Sequence, residues 1–315
     1  MYYFYIRTIL VIVALKLQNG LMPKVSIVMT SYNYEKYIAE AIESILNQTF
    51  RDFELIIVDD CSKDKSREII EAYAKKDGRL RYLFHERNMG LSRSTNDGFS
   101  MCLGDYIAII DSDDCWDNSK LKLQLDIFER KPNIDVVYTG TIIIDEKSTS
   151  TSVRFSQIYN SQTILFVITS LLKGLTNIAI LPEFDGRRSG KIFGNLLRNN
   201  FVNKSSSIFR AYCIKDVIFK EEMKLLNDWI FWLDLAKKHE FYYIPQPLTK
   251  YRIHQKSMVT ATSSTEWERD FDRAYMIKRK YLYLLPTCGR IKFIIFQGLS
   301  YVKYLMFSRL GKNMK

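Results

Sequence analysis

Residues 106 to 116 read YIAIIDSDDCW. The apolar run Tyr106 to Ile110 has the length of a buried strand, and three carboxylates, Asp111, Asp113 and Asp114, follow it within four positions. Carboxylates set side by side repel one another at neutral pH, so something cationic belongs at this strand end. Asp111 and Asp113, two positions apart, can present oxygens to one hard divalent cation, which in turn bridges diphosphate oxygens. The plainer reading makes Asp111 to Asp114 a turn and the N-cap of the next helix. Asp117 or Asn118 could cap that helix alone.

The same arrangement repeats outward from this stretch. Apolar runs of strand length alternate with amphipathic segments from Lys24 on, the pattern of a mostly parallel sheet with helices on its faces. Strands are expected at 25–29, 53–58, 80–84 and 106–110. Helices are expected at 35–48, with Ile38, Ala41, Ile42, Ile45 and Leu46 at helical spacing, near 65–74, at 91–101 and at about 118–130. Three polar or acidic loops then fall at the C-terminal ends of strands: Thr30-Ser31-Tyr32-Asn33, Asp59-Asp60 and Asp111 to Asp114. In open α/β sheets that edge is where ligands bind. The middle, about 148–203, is Ser/Thr-rich at first and then carries the apolar stretch 164–172 and the loop 184–190. It reads as an insertion on the acceptor side. Regularity returns with a strand at 205–209, a helix at 228–238 and a strand at 241–244.

The whole chain has 315 residues, a 47% hydrophobic share and 26% charge, which makes it globular and long enough for one large α/β domain with an appendage. Its five cysteines are odd in number and form no CxxC pair, which argues against a disulfide frame or a zinc site and for free thiols in a reducing compartment. No GxGxxG follows the first strand and no GxxxxGK[ST] occurs, so a dinucleotide fold or P-loop has no support. Nucleotide contacts would have to come from carboxylates and aromatics. A phosphatase of the haloacid dehalogenase type would need Thr or Val where Cys115 stands, and its DxDx[TV] motif normally opens the fold.

Taken together, VSIVMTSYN (25–33), ELIIVDDCS (54–62), NMGLSRSTNDG (88–98), YIAIIDSDDCW (106–116), NDWIFWLDLAKK (227–238) and YRIH (251–254) resemble the family two glycosyltransferases of GT-A fold, in that family's order and spacing over about 23–258. The resemblance implies an inverting enzyme that moves a sugar from a nucleoside diphosphate donor, with a UDP-sugar favoured, to an acceptor hydroxyl, using Mn²⁺ or Mg²⁺. It implies a donor half at about 23–130 and an acceptor half at about 131–258. Thr30 and Tyr32 would line the nucleoside pocket, and Asp60 would accept a hydrogen bond from the base, with Asp59 nearby. Asp113 would be the direct metal ligand and Asp111 would face ribose or metal. Asp228 would be the general base, and Arg252 and His254 would reach the diphosphate or metal. The chain departs from the family pattern at Thr30, often Pro, at Asn227, often Glu, and at Thr95, which replaces the usual arginine. Arg93 or Arg87 would have to substitute there. His85 and His239 have no motif around them.

The net charge of +11 is largely local to the C-terminal part, which has no acidic residue after Asp272. The segment 291–307 could form a helix that is apolar around most of its circumference, suited either to an anionic lipid surface or to packing on the catalytic domain or a partner protomer. The expectation is a basic, apolar helical tail over 259–315 and a peripheral enzyme at the inner face of the cell membrane. Its acceptor would be a growing or lipid-linked surface glycan. Nucleic acid is disfavoured, because the basic residues are interleaved with aliphatics and no binding motif accompanies them. Residues 1–22 read either as an extension dispensable to the fold, with a start at Met22 plausible, or as a membrane-touching anchor. The main competing function is a non-catalytic nucleotide-sugar-binding or scaffold relative of the same fold.

Overall fold

The computed structural model describes residues 22–154, 188–215, 217–255, 257 and 264–281. The expected extension over 1–21, the stretch 164–172, the loop start at 184–187 and the basic segment 291–307 lie outside the described residues.

The first half alternates as its pattern predicts: β1 (Val25–Ser31), α1 (Ile38–Leu46), β2 (Phe53–Asp59), α2 (Ser66–Lys76), β3 (Leu80–Phe84), α3 (Leu91–Ser100) and β4 (Tyr106–Asp111). β1 pairs in parallel with β2 and β4, and β2 with β3, so the helical crossovers cover both faces. Ile27 and Met29 lie on one face with Ile38, Ala41, Ile42 and Ile45 of α1, while Val28 lies on the other with Phe99 of α3. Strands covered on both faces read as continuous apolar runs, which is why they were legible. Gly98 permits the approach of α3: a Cβ there would come 2.4 Å from Val28 Cγ1.

The second half adds β5 (Cys115–Trp116), α4 (Lys120–Arg130), β6 (Val136–Ile144), β7 (Ser150–Arg154), α5 (Phe193–Arg198), β8 (Ser207–Arg210), α6 (Asn227–Ala236), β9 (Phe241–Arg252) and α7 (Ser264–Lys280). The sheet runs β3-β2-β1-β4-β8-β6-β9-β5, with β7 paired to β6. Beyond β4 only β6 and β9 are parallel, so the parallel character belongs to the first half and the whole sheet is mixed. β6 and β9 are bulged near Gly140, where a Cβ would meet the Pro245 carbonyl oxygen at 2.5 Å. The two prolines at 245 and 247 break the strand pattern of β9 in sequence, and the bulges absorb them.

Several boundaries move for local reasons. α1 starts at Ile38 rather than residue 35, after a turn in which the Tyr37 and Ile38 N–H groups both donate to Tyr34 O and the Glu35 N–H donates to the Asp64 carboxylate at 2.9 Å. The strand expected at 205–209 begins only at Ser207, after a 3₁₀ turn over Lys204–Ser206. α7, the described part of the helical tail expected over 259–315, packs into the main core. Its Asp270 is fully buried and accepts the N–H groups of Lys224 and Leu225 at 2.9 and 2.8 Å, and Ala274 joins the cluster around α6. No helix among the described residues is long and apolar enough to cross a membrane.

Candidate active site

The parallel register sets three loops side by side: Thr30 is the register partner of Asp111, and Ser31 that of Asp59. Two residues just beyond these strand ends, Asn33 and Cys61, have positive φ of 60° and 68°, as does Leu226 at 58° immediately before Asn227-Asp228. Non-glycine residues in this conformation cost stability and persist where surroundings enforce them.

The repulsion among the three carboxylates is answered largely from within the chain. Lys204, on the 3₁₀ turn before β8, brings Nζ to 2.5 Å from Asp111 Oδ1, an ion pair without hydrogen-bond alignment. Thr30 Oγ1 stands at 3.4 Å from the same oxygen. Burial pushes the Asp111 carboxyl above the usual carboxylate range, Lys204 opposes this, and the charge of Asp113 adds to it. Asp114 is fully buried and accepts the Arg252 backbone N–H at 3.0 Å, while its Oδ2 has no aligned hydrogen-bond partner among the described residues. Burial first, then the charges of Asp113 and Asp111, hold it well above the ordinary range. Asp113 faces His254, with Nε2 and Oδ2 3.1 Å apart. Tyr34 packs edge-on against His254, and burial together with the charges of the three carboxylates raises its phenol, which stays a donor.

Asp228 lies at the start of α6, where Asn200 Nδ2 donates to its Oδ2 at 3.1 Å and the Trp229 N–H to its Oδ1 at 2.7 Å. Burial raises its carboxyl; Lys204 is the largest opposing influence, and Asp111 adds a smaller upward one. Lys204 thus acts on both carboxylates, pairing directly with Asp111 and opposing the effect of burial on Asp228.

Other expected residues take different places. Arg252 is 1% exposed, and its guanidinium is spent inside the protein: Nε on the Asp113 carbonyl at 2.8 Å, Nη1 on Asp145 O and Ser148 Oγ, Nη2 on Glu40 at 2.7 Å. It braces the acidic loop from below, so the expectation that it reaches the diphosphate is corrected: its N–H groups point into the fold. Asp59 is also fully buried, and accepts from Ser62 N–H, Ser62 Oγ and Arg67 Nε. That geometry makes it a turn-builder beneath the cleft. Asp60, just past β2 and 4% exposed, has Oδ1 accepting from Met89 N–H at 2.7 Å and facing His85 Nδ1 at 2.8 Å, and Oδ2 accepting from Gly90 N–H at 2.8 Å. Tyr32 is 44% exposed. Arg93 Nε–H is shared between the two carboxylate oxygens of Asp97, and its Nη1 lies 3.7 Å from Glu221.

Lys204, Tyr34, Asn200 and His85 were missed in sequence. Each is a single polar residue whose role depends on a partner 25 or more positions away. Among the described residues no three His, Cys, Asp or Glu side chains converge into a complete metal cage. The donor set nonetheless fits a divalent cation: a carboxylate and an imidazole side by side, a second carboxylate adjacent, and surplus negative charge with a buried oxygen that lacks an aligned partner among the described residues. Such ions often take one or two protein ligands and complete their shell with phosphate and water.

Residues 26–184 match the family model described as Glycosyl transferase family 2. An uncharacterised glycosyltransferase of Methanocaldococcus jannaschii is 31% identical over 236 residues, 73% of this chain and 71% of that one. A glycosyltransferase of Bacillus subtilis named for teichuronic acid biosynthesis, TuaG, is 26% identical over 288 residues, 86% of this chain and 97% of its own. Among solved structures, S. aureus TarS in complex with UDP-GlcNAc superposes with a TM-score of 0.62 at 19% identity, covering 85% of this chain and 69% of that one, a likeness of fold. With acidic loops at the carboxyl edge of a GT-A type sheet and a model match over half its length, this chain belongs to glycosyl transferase family 2 and is a glycosyltransferase.

Proposed function

We propose that this enzyme transfers a sugar from a nucleoside diphosphate, with a uridine nucleotide favoured, to an acceptor hydroxyl with inversion, in the synthesis of a surface polysaccharide or lipid-linked glycan. The observation that carries the reading is the run of polar and acidic residues at the carboxyl edge of the sheet, where Thr30 is the register partner of Asp111 and Lys204 pairs with Asp111; the same lysine opposes the burial of Asp228. In this reading Asp228 is the base, close to the edge at which a diphosphate would bind. The teichuronic acid name of the Bacillus relative and the UDP and UDP-GlcNAc held by TarS support the acceptor class and the donor class.

In this reading Tyr32 and Thr30 border the nucleoside and Asp60 accepts from the base. Asp113 and His254, with Asp111 beside them, would hold Mn²⁺ or Mg²⁺, which supplies positive charge to the donor diphosphate when bound. Lys204 fixes Asp111, and Arg252 fixes the backbone of Asp113. Asp228, oriented by Asn200, takes the proton of the acceptor hydroxyl as its oxygen attacks the anomeric carbon, and the nucleoside diphosphate leaves from the opposite side. A single displacement of this kind inverts the anomeric centre. The enzyme would act peripherally at the cytoplasmic face of the membrane.

Calorimetric titration with UDP, GDP and dTDP, each with and without Mn²⁺, tests the donor half. Metal-dependent binding of one nucleotide, lost in Asp113→Ala, is the expected result. Asp228→Asn is expected to bind that donor normally and to lower transfer by about 10²- to 10⁴-fold. Equal transfer by Asp228→Asn and wild type would remove Asp228 as base.

A further inference from the structure

His85 lies just past β3, 9% exposed at its side chain. Its ring is set between two carboxylates on different elements. Nδ1 is 2.8 Å from Asp60 Oδ1, and Nε2 is 3.2 Å from Asp97 Oδ2 of α3, at ion-pair distance without hydrogen-bond alignment. Asp97 is shared with Arg93, so charges alternate in a row through Asp60, His85, Asp97, Arg93 and Glu221. The backbone around the ring is pinned as well. The His85 N–H donates to Asp59 O at 2.9 Å, Arg67 Nη2 of α2 donates to the His85 carbonyl at 2.6 Å, and Cys61 Sγ lies 3.3 Å from Glu86 O. These contacts tie the loop 85–90 to the loop that carries Asp60.

The consequence falls on Asp60. With Met89 N–H and His85 on Oδ1 and Gly90 N–H on Oδ2, three positive or donor groups surround it, and the second lone pair of Oδ2 is what is left to offer. Gly90 can present its N–H in this way because its φ of 88° is open to glycine. A carboxylate so held can accept and cannot donate.

We infer that His85 is a positioning and specificity-determining residue of the donor pocket: clamped between Asp60 and Asp97, it fixes Asp60 as an ionised, acceptor-only group, so that the pocket takes a base presenting a ring N–H, as uracil does, and rejects one presenting a bare ring nitrogen, as cytosine does. This rests on the reading of Asp60 as the base contact. The electrostatics agree with the geometry: Asp60 and then Asp97 raise the imidazole to about 9, while His85 and the two backbone N–H groups hold Asp60 low against its burial. The charged groups facing the ring are Asp60 from the β2 loop and Asp97 from α3, with Arg93 behind Asp97 and Arg67 of α2 on the His85 carbonyl.

The test is titration of the full chain with UDP and with CDP from pH 6 to 9, for wild type, Asp97→Asn and His85→Asn. Wild type is expected to prefer UDP by about tenfold or more, the cost of leaving a buried polar contact unmade. Asp97→Asn withdraws one of the two charges that keep the imidazole protonated. Its UDP affinity should therefore fall along a limb roughly one pH unit lower than wild type, below the range where uracil loses its own N–H, and the UDP preference should shrink along that limb. His85→Asn, whose amide can replace the Nδ1 donor without charge, should keep part of the preference and lose the limb. An Asp97→Asn profile superimposable on wild type, or an equal drop for UDP and CDP at every pH, would overturn the role of His85 and leave the donor reading standing. Absence of uridine nucleotide binding at every pH would overturn the donor reading, and this inference with it.

Discussion

At the scale of single residues, the site is built from charges that oppose one another under burial. Asp228 is pushed toward the protonated form by desolvation, and the ammonium of Lys204 is the strongest opposing influence. A base must be ionised to accept a proton, so Lys204 sets where activity begins on the acid side. Lys204→Met is expected to move the acid limb of the pH–rate profile upward by roughly one unit. It should also cost about 3 kcal/mol of stability in urea unfolding, because Asp111 is left without its counter-ion. An unchanged acid limb would show that Lys204 serves Asp111 alone. This lysine also explains how a chain tolerates IIDSDDC: one carboxylate is paired with Lys204, one faces His254, and one is buried with a raised pKa.

At the scale of elements, α6 carries the candidate base, and what holds its N-terminus is α7. Leu226 sits at φ 58°, and the two residues before it give their N–H groups to Asp270 of α7. Asp270→Ala would strand the buried Leu225 N–H, at about 1–3 kcal/mol, and release the part-buried Lys224 N–H, which water can reach at lower cost. Thermal unfolding should register that loss. Transfer should fall further than donor binding does, since the segment that loosens leads to Asp228 and not to the nucleoside pocket. A variant that unfolds at the wild-type temperature would mean that water replaces the carboxylate. The element scale is also where the described part of the helical tail meets the core: α7 buries Asp270 and Ala274 against the catalytic domain.

At the scale of the whole molecule, the clamp at His85 joins β2, α2, β3 and α3 into one unit, and its charge should be visible in global stability. The folded-state imidazole is raised from 6.5 to about 9. The native state therefore binds the proton more tightly than the unfolded chain. The stabilisation is complete below about pH 6.5 and is lost as pH rises toward 9. Differential scanning calorimetry should show Tm declining across that window, with a flatter profile in His85→Asn. A wild-type Tm that is level from pH 6.5 to 9 would contradict the pairing.

The sequence by itself determined the parallel half of the sheet, because strands buried on both faces must be apolar throughout and the connecting helices must carry an apolar stripe. It also placed Thr30, Asp60, Asp111 and Asp113 at the carboxyl edge, since strand ends follow directly from those runs, and Asp228 at the head of its helix. Only the tertiary structure decided the second half, where β9 carries two prolines whose strand geometry depends on bulges opposite Gly140. It likewise decided which charges meet. Arg252 looked free to reach a ligand and is spent beneath the loop, while Lys204, Tyr34 and His85 looked incidental and face the carboxylates. Periodicity along the chain records which side of an element is buried, but the partner of a charged group is set by contacts between segments far apart in sequence, and no local pattern encodes those.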